Sequence, residues 1–585
     1  MGRFAASLTR LAQIDDAAEQ PLPITGFATT RQRREGSDFD GLNDSASTNP
    51  EGTVRMTLRP SNENMLKQGK DADAAFRVEM SQACVEEPTM AQDLILALDQ
   101  GTTSTRAILF DLSGTALVDA SRPLRQSYPD DGWVEHDAEE IYAAAVAVLR
   151  EVTEMSGRAA DIAAIGVTNQ RETVVVWDRA TGRPIHPAIV WHDRRTADVC
   201  ARLKVEGHEP KVTEITGLLL DPYFSATKIA WILDKVPGAR ARAEAGELLC
   251  GTMDSWVIWR LTGGAVHATD ATNASRTLLF DIGAQAWSDA MLALFDVPAA
   301  MLPKVLDCVD DYGATQADVL GREVPIRGVA GDQQAALMGQ GCVAPGQMKA
   351  TYGTGCFMLI NTGIDRAVSR ARLLTTVAAR VGGKTTYALE GSIFVAGAAI
   401  QWLGEGLGVT GGPRAAEALA RAAKPDHAVV VVPAFTGLGA PWWNADARGG
   451  IFGLTRDAGL PEIAAATFDA CALQTRDLIE AMRADAPAAF GESAQMRIDG
   501  GMSKSPWFSK RLADLTGLSV RRASYQETTA LGAALFAGVG AGLYGSIDEA
   551  AAASPAAETL APAMGEHARE AAYARWLDAV PRVGR

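Results

Sequence analysis

The chain has 585 residues, 47% of them hydrophobic, and a formal net charge of −16. That length exceeds a single hydrophobic core and predicts about two to four domains. The acidic balance excludes sequence-independent nucleic-acid binding, which needs a basic surface, and no run reaches the roughly 18 uninterrupted apolar residues of a membrane span. The seven cysteines and seven histidines are scattered, without C-x-x-C or H-E-x-x-H spacing, which reads as a reduced cytoplasmic protein without structural zinc.

Residues 1–90 mix Ser, Asn, Asp, Glu and Arg with no sustained apolar period. Their acids, Asp15, Asp16 and Glu19, argue against a transit peptide, and no apolar h-region marks a signal peptide. The segment is expected to be a disordered extension, with at most a short helix near Ala74 to Cys84. Met90 then stands as the natural start of the protein.

Regular patterning begins at Asp93. LALDQGTTSTRA (Leu96 to Ala107) is an apolar strand running into an acid, a glycine and small hydroxyls. Thr102, Thr103 and Ser104 offer hydroxyls and amides to phosphate oxygens, and Asp99 offers a carboxylate to a Mg²⁺ ion through waters. The competing reading is an ordinary hairpin with a polar turn. Strands follow at Arg106 to Asp111 and Ala116 to Ala120, then a helix over Ala138 to Met155 carried by Ile141, Ala144, Ala145, Val148 and Leu149. The strand Ile162 to Val167 leads to Arg171-Glu172, which reads either as a surface ion pair or as a clamp that donates to and accepts from neighbouring hydroxyls. Trp191, Tyr223 and Phe357 read as core aromatics or as cover for a ligand's carbon skeleton.

The run Ile326 to Ala330 ends in Gly331-Asp332 before a helical QQAALMGQ. Asp332 is either a helix cap or a base aimed into a cleft, with Gln333 beside it. Met496 to Ile498 repeats the form, ending in Asp499-Gly500-Gly501 before SPWFSKRLADLTG, and KATYGTGCFMLIN (Lys349 to Asn361) echoes the first hairpin. Two similar α/β halves, broken near Gly341 to Gly346, would face each other across a cleft. AARVGGKT (Ala378 to Thr385) nearly fits a P-loop, but Thr385 to Leu389 reads as a strand, so Gly382-Gly383 is expected to turn a hairpin. The Ala-rich Ala550 to Ala563 is expected to form a surface helix and loop.

Read in order, ALDQGTTSTRA, GWVEHD, AAIGVTNQRETVVVW, GLLLDPYFSATKIAWILD, DATNASRTLLFDI, GVAGDQQAAL, YGTGCFML and VVPAFTGLGAPWWNADARGGIFGLTR resemble the FGGY carbohydrate kinases of the actin–hexokinase superfamily, from about Asp93 to Ala550. The resemblance implies an α/β fold of two ribonuclease H-like (actin-like ATPase) domains with a catalytic cleft between them. It divides the chain into the 1–90 extension, an N-terminal domain at 91–341, a C-terminal domain at 342–550 and a tail at 551–585. It implies ATP-dependent phosphorylation of glycerol to sn-glycerol 3-phosphate with Mg²⁺, by a cytoplasmic homo-oligomer (dimer or tetramer) with no nucleic-acid partner and no stable membrane insertion.

By the same resemblance, Thr102, Thr103, Ser104 and Arg106 would meet the nucleotide phosphates, and Asp99 would serve Mg²⁺. Arg171, Glu172, Tyr223, Asp332 and Gln333 would hold the glycerol hydroxyls, with Trp191 and Phe357 on its carbons and Asp332 as the general base. Thr354, Gly397, Gln401 and Gly501 would contact ATP or ADP. Three departures stand out. Ser505 occupies the place of the family's adenine-side asparagine, His192 follows Trp191 where glutamine is usual, and the short GREVP lacks the Gly-rich basic loop by which some members bind fructose 1,6-bisphosphate. No such control is expected. The rival readings are a kinase of the same fold for another polyol or ketose, an actin-like ATPase switch, and a catalytically silent regulator.

Overall fold

Strand Leu94–Gln100 is apolar along nearly its whole length because both its faces are covered. It pairs antiparallel with Ser104–Phe110, which pairs with Ala116–Pro123. On its other side it runs parallel to Ile162–Asn169, which in turn runs parallel to Ile326–Gly331. The computed structural model describes residues 92–491, 494–554 and 557–584. The extension expected at 1–90, its short helix and the start at Met90 lie outside the described residues.

The second sheet repeats this plan. Gln347–Tyr352 pairs antiparallel with Cys356–Gly363 and parallel with Gln495–Asp499, and the seven-stranded order adds Lys384–Ile393 and Leu374–Val381 at one edge, Val520–Ala523 and Ala557–Leu560 at the other. Each half thus opens with a hairpin, as the repeated Gly-Thr motif predicted, and the first strand of each hairpin is central in its sheet. The near-P-loop is a hairpin turn, with Gly382 and Gly383 at φ 57° and 73° between two antiparallel strands.

Helix Ala138–Ser156 starts where Asp137 accepts from the Glu139 and Glu140 amides at 2.8 and 3.4 Å, and stops at Gly157 in the left-handed region. Its apolar stripe covers the first sheet. Between the halves, helices Asp332–Gly339 and Thr528–Gly540 pack backbone to backbone. A Cβ on Gly532 would lie 1.8 Å from the Ala335 carbonyl oxygen, and one on Gly339 1.9 Å from that of Thr528. Only glycine permits that approach.

Two segments differ from expectation. Ala557–Leu560 is an edge strand of the second sheet, not a surface loop. The stretch expected as a tail also carries helix Glu566–Ala579, whose buried Trp576 donates its indole N–H to Asp477 at 2.8 Å. Six cysteines among the described residues are free and buried.

Candidate active site

Beyond the end of Ile162–Asn169 the chain reverses in a γ-turn. The Thr173 amide donates to the Arg171 carbonyl at 2.7 Å, around Glu172 at φ 61°. A non-glycine residue held there is strained, and such strain gathers at functional sites. The turn drives Arg171 and Glu172 inward, to 3% and 1% exposure, which removes the surface-ion-pair reading. Arg171 donates to both carboxylate oxygens of Glu390, at 2.6 and 3.2 Å. Arg276 donates to Glu172 at 2.7 Å and to Glu390 at 2.9 Å. Two arginines and two glutamates therefore alternate in one buried cluster, and Glu390 belongs to the second sheet. Burial alone would raise the Glu390 carboxyl, but Arg171 and Arg276 outweigh it and hold the group at about 2. For Glu172 burial prevails and the shift is upward.

Asp332 is the first residue of its helix, and one carboxylate oxygen is anchored by Arg171 Nε at 3.0 Å and by the Gln333 amide at 2.7 Å. Its side chain is 32% exposed, so part of it remains accessible to solvent and ligand. Trp191 stands edge-on between Tyr223 and Phe357, with ring centroids 5.5 and 6.4 Å away, and its indole N–H donates to Thr102 Oγ1 at 3.0 Å. Buried Lys228 donates to the carbonyls of Trp191 and Tyr223, at 3.2 and 2.7 Å, and so ties the two aromatic residues together. Burial pulls that ammonium down to about 7, against the pull of Glu172, Asp193 and Asp221. The Gln333 side-chain carbonyl accepts from Lys349 of the second sheet.

On the phosphate side, the Gly101 amide donates to the Ser104 carbonyl at 2.9 Å and closes the first turn, leaving Thr103 exposed and Thr102 and Ser104 half-buried. Arg106 pairs with Glu527. Asp99 is pushed up to about 7 by burial, then by Asp332 and Glu527, with Arg106 opposing. That corner holds more negative than positive charge, which fits a divalent cation. Among the described residues no three acidic, histidine or cysteine side chains converge as direct ligands, so a Mg²⁺ ion at Asp99 would be held through water.

The second turn seats on a helix start. The amides of Ala396 and Ala398 donate to the Thr354 carbonyl at 2.9 and 3.1 Å, and that of Gly397 to the Gly353 carbonyl at 3.0 Å. Gly500, at φ 84°, lies against the Tyr352 carbonyl, while Gly501 faces open space and Gln401 is exposed. Ser505 caps helix Pro506–Thr516 by accepting from the Phe508 amide at 2.9 Å. A Cβ on Gly397 would sit 2.4 Å from the Gly353 oxygen. Gly397→Ala is therefore expected to displace the Gly353-Thr354 turn at about 1–3 kcal/mol. Scanning fluorimetry should show a lowered midpoint, and initial rates a raised KM for ATP with that for glycerol unchanged.

Two family models match the chain: the N-terminal domain of the FGGY family of carbohydrate kinases matches residues 94–339, and its C-terminal domain residues 348–541. The chain belongs to the FGGY family of carbohydrate kinases. This FGGY kinase is 56% identical over 490 residues to a glycerol kinase of Ectopseudomonas mendocina, covering 84% of this chain and 98% of that one. It is 55% identical over 489 residues to a glycerol kinase of Cereibacter sphaeroides, covering 84% and 99%. Its fold matches Plasmodium falciparum glycerol kinase with ADP at a TM-score of 0.80 and 32% identity, covering 84% and 98%.

Arg171, Glu172 and Asp332 come together in the charged cluster, and Arg276 of that cluster lies 5.8 Å from the centre of the Tyr223 ring, which Trp191 links to Phe357 and Thr102. Sequence reasoning missed Arg276, Glu390, Lys228, Lys349 and Glu527. Glu390, Lys228 and Lys349 do carry a signal: each is the one charged side chain in a short strand or helix segment, YALEGSI, SATKIAW and QMKATY.

Proposed function

We propose that this FGGY kinase transfers the γ-phosphoryl group of ATP to a terminal hydroxyl of glycerol, giving sn-glycerol 3-phosphate and ADP. The observation that carries the reading is the Asp332 carboxylate, 32% exposed and held 3.0 Å from Arg171, in a charged cluster whose Arg276 lies 5.8 Å from the centre of the Tyr223 ring, with Trp191 and Phe357 beyond it. Charged and amide groups serve the hydroxyls and the rings cover the carbons. As the glycerol oxygen bonds to phosphorus, its proton passes to Asp332 and the bond to the ADP oxygen breaks, the leaving oxygen keeping the electron pair. Mg²⁺, when bound at Asp99, supplies charge neutralisation for the transferring group. Thr102, Thr103, Ser104 and Arg106 orient the phosphates from the 91–341 side. Thr354, Gly397, Gln401, Gly501 and the Ser505 segment hold the nucleotide from the 342–550 side. An ATPase switch would need both phosphate turns but no polyol clamp. A cytoplasmic dimer or tetramer completes the reading; among the described residues no helix is long and apolar enough to cross a membrane.

A coupled ADP-release assay across glycerol, dihydroxyacetone, xylulose, ribulose and gluconate tests this. Glycerol should give the highest kcat/KM. A ketose or gluconate ahead of glycerol, or ADP release independent of any polyol, overturns it.

A further inference from the structure

A cavity of about 180 Å³ lies where the helix pair between the lobes meets the second sheet, lined in part by Gln340, Arg497, Arg521, Tyr525, Thr528 and Ser554. Strand register explains its character. Lys349 stands opposite Arg497, and Arg497 opposite Arg521, in parallel pairs. Three cations thus share one face of three adjacent strands, an arrangement that destabilises a sheet unless something compensates it.

The protein compensates Lys349 through the charges of Asp499, Asp332 and Glu390, but it gives Arg497 and Arg521 no ion pair among the described residues. Lys349 is turned toward the active site, where it donates to Gln333 and to Thr351 at 3.1 Å. Arg497 donates to the Gln340 carbonyl, and its Nε is buried without a partner. Among the described residues the Arg521 guanidinium has no hydrogen bond and no ion pair, and Arg497 no ion pair. Of the neighbouring acids, Glu558 pairs with Arg522, and Asp499 accepts through one oxygen from Thr528 and, at 2.8 Å, from Gln340, its other oxygen being buried without a partner. Burial and the adjacent Arg521 both press the Arg497 guanidinium below its ordinary value. Helix Thr528–Gly540 also starts at this cavity, where Thr528 lines the wall and donates to Asp499.

We propose that this cavity binds a small phosphate-class oxyanion, inorganic phosphate or a phosphate monoester, between Arg497 and Arg521. Guanidinium forks match phosphate oxygens in shape and charge, and Tyr525 and Ser524 add hydroxyls at the wall and rim. The site lies outside the clamp around Arg171. It is mechanically joined to the catalytic helix, because Arg497 holds the Gln340 carbonyl just past the end of the helix that begins at Asp332. A bound anion would therefore tighten the junction between that helix and the second sheet.

The test is titration calorimetry on the full chain, with the cleft saturated by glycerol and a non-transferring ATP analogue. The titrants are inorganic phosphate and, separately, sn-glycerol 3-phosphate. One equivalent of either should bind, and the response to each says whether the free anion or the ester is preferred. Arg521→Gln should weaken binding about tenfold or more while glycerol phosphorylation without added phosphate stays unchanged. Ser524→Asp, at an exposed rim position, should weaken it similarly through repulsion and leave the fold intact. No binding to the wild-type protein, or equal binding by wild type and both variants, overturns the proposal.

Discussion

Asp332→Asn is expected to lower kcat by about 10²-fold or more while the KM for glycerol stays within a few-fold of wild type. The two carbonyl-like contacts of this side chain survive the change, because an amide oxygen still accepts from Arg171 Nε and from the Gln333 amide. What an amide cannot do is take a proton from the attacking hydroxyl. The loss therefore falls on an interaction made only in the transition state, which lowers kcat and kcat/KM together. At about 1.4 kcal/mol per factor of ten, the expected drop corresponds to roughly 3 kcal/mol of barrier. Arg171 keeps its two bonds to Glu390 in the variant, so the substrate's other anchors stay in place. Initial rates by coupled ADP release, at saturating and limiting glycerol, separate the two constants. Turnover near that of wild type would remove Asp332 from the role of base.

The parts of the site that could be read from the chain are those built locally. Asp99 and Thr102 flank one turn and Asp332 follows one strand, so short-range spacing carries them. The charged cluster is of another kind. Glu172 meets Arg276 across 104 positions and Arg171 meets Glu390 across 219, and no local pattern ties those residues. Their partners follow only once both sheets are in place, which is why the Arg171-Glu172 pair left a surface reading open. The C-terminal region misled for a related reason. Alanine-rich composition near Ala550 reads as surface helix, but the strand at Ala557–Leu560 is specified by the free edge of Val520–Ala523, a feature of the sheet and not of the segment. Ser505 stands where the family has its adenine-side asparagine, and in the structure its oxygen serves a helix cap.

Glu390→Gln is expected to destabilise the protein by about 3–5 kcal/mol, because removing one partner leaves Arg171 and Arg276 buried with a single glutamate between them. The pH dependence follows from the direction of the shift. The folded-state value, about 2, lies below the ordinary 4.5. This carboxylate therefore contributes its stability above about 4.5 and loses it as the pH falls toward 2. Glu172 is shifted the opposite way, so the acid-labile share belongs to Glu390. Urea midpoints measured at pH 7 and pH 4 should show the wild type falling between the two and the variant, already lower at pH 7, falling less. A second readout separates positioning from bulk stability. Arg171 is aligned by Glu390 from the opposite lobe, so the KM for glycerol should rise in the variant more than kcat falls. Removing Arg276 as well, in Arg276→Met/Glu390→Gln, leaves the balanced Arg171–Glu172 pair and should recover part of the stability. It should not recover the KM, because the fork that Glu390 held is still without its anchor. Unchanged midpoints and unchanged KM in Glu390→Gln would show that the cluster neither holds the lobes together nor sets the clamp.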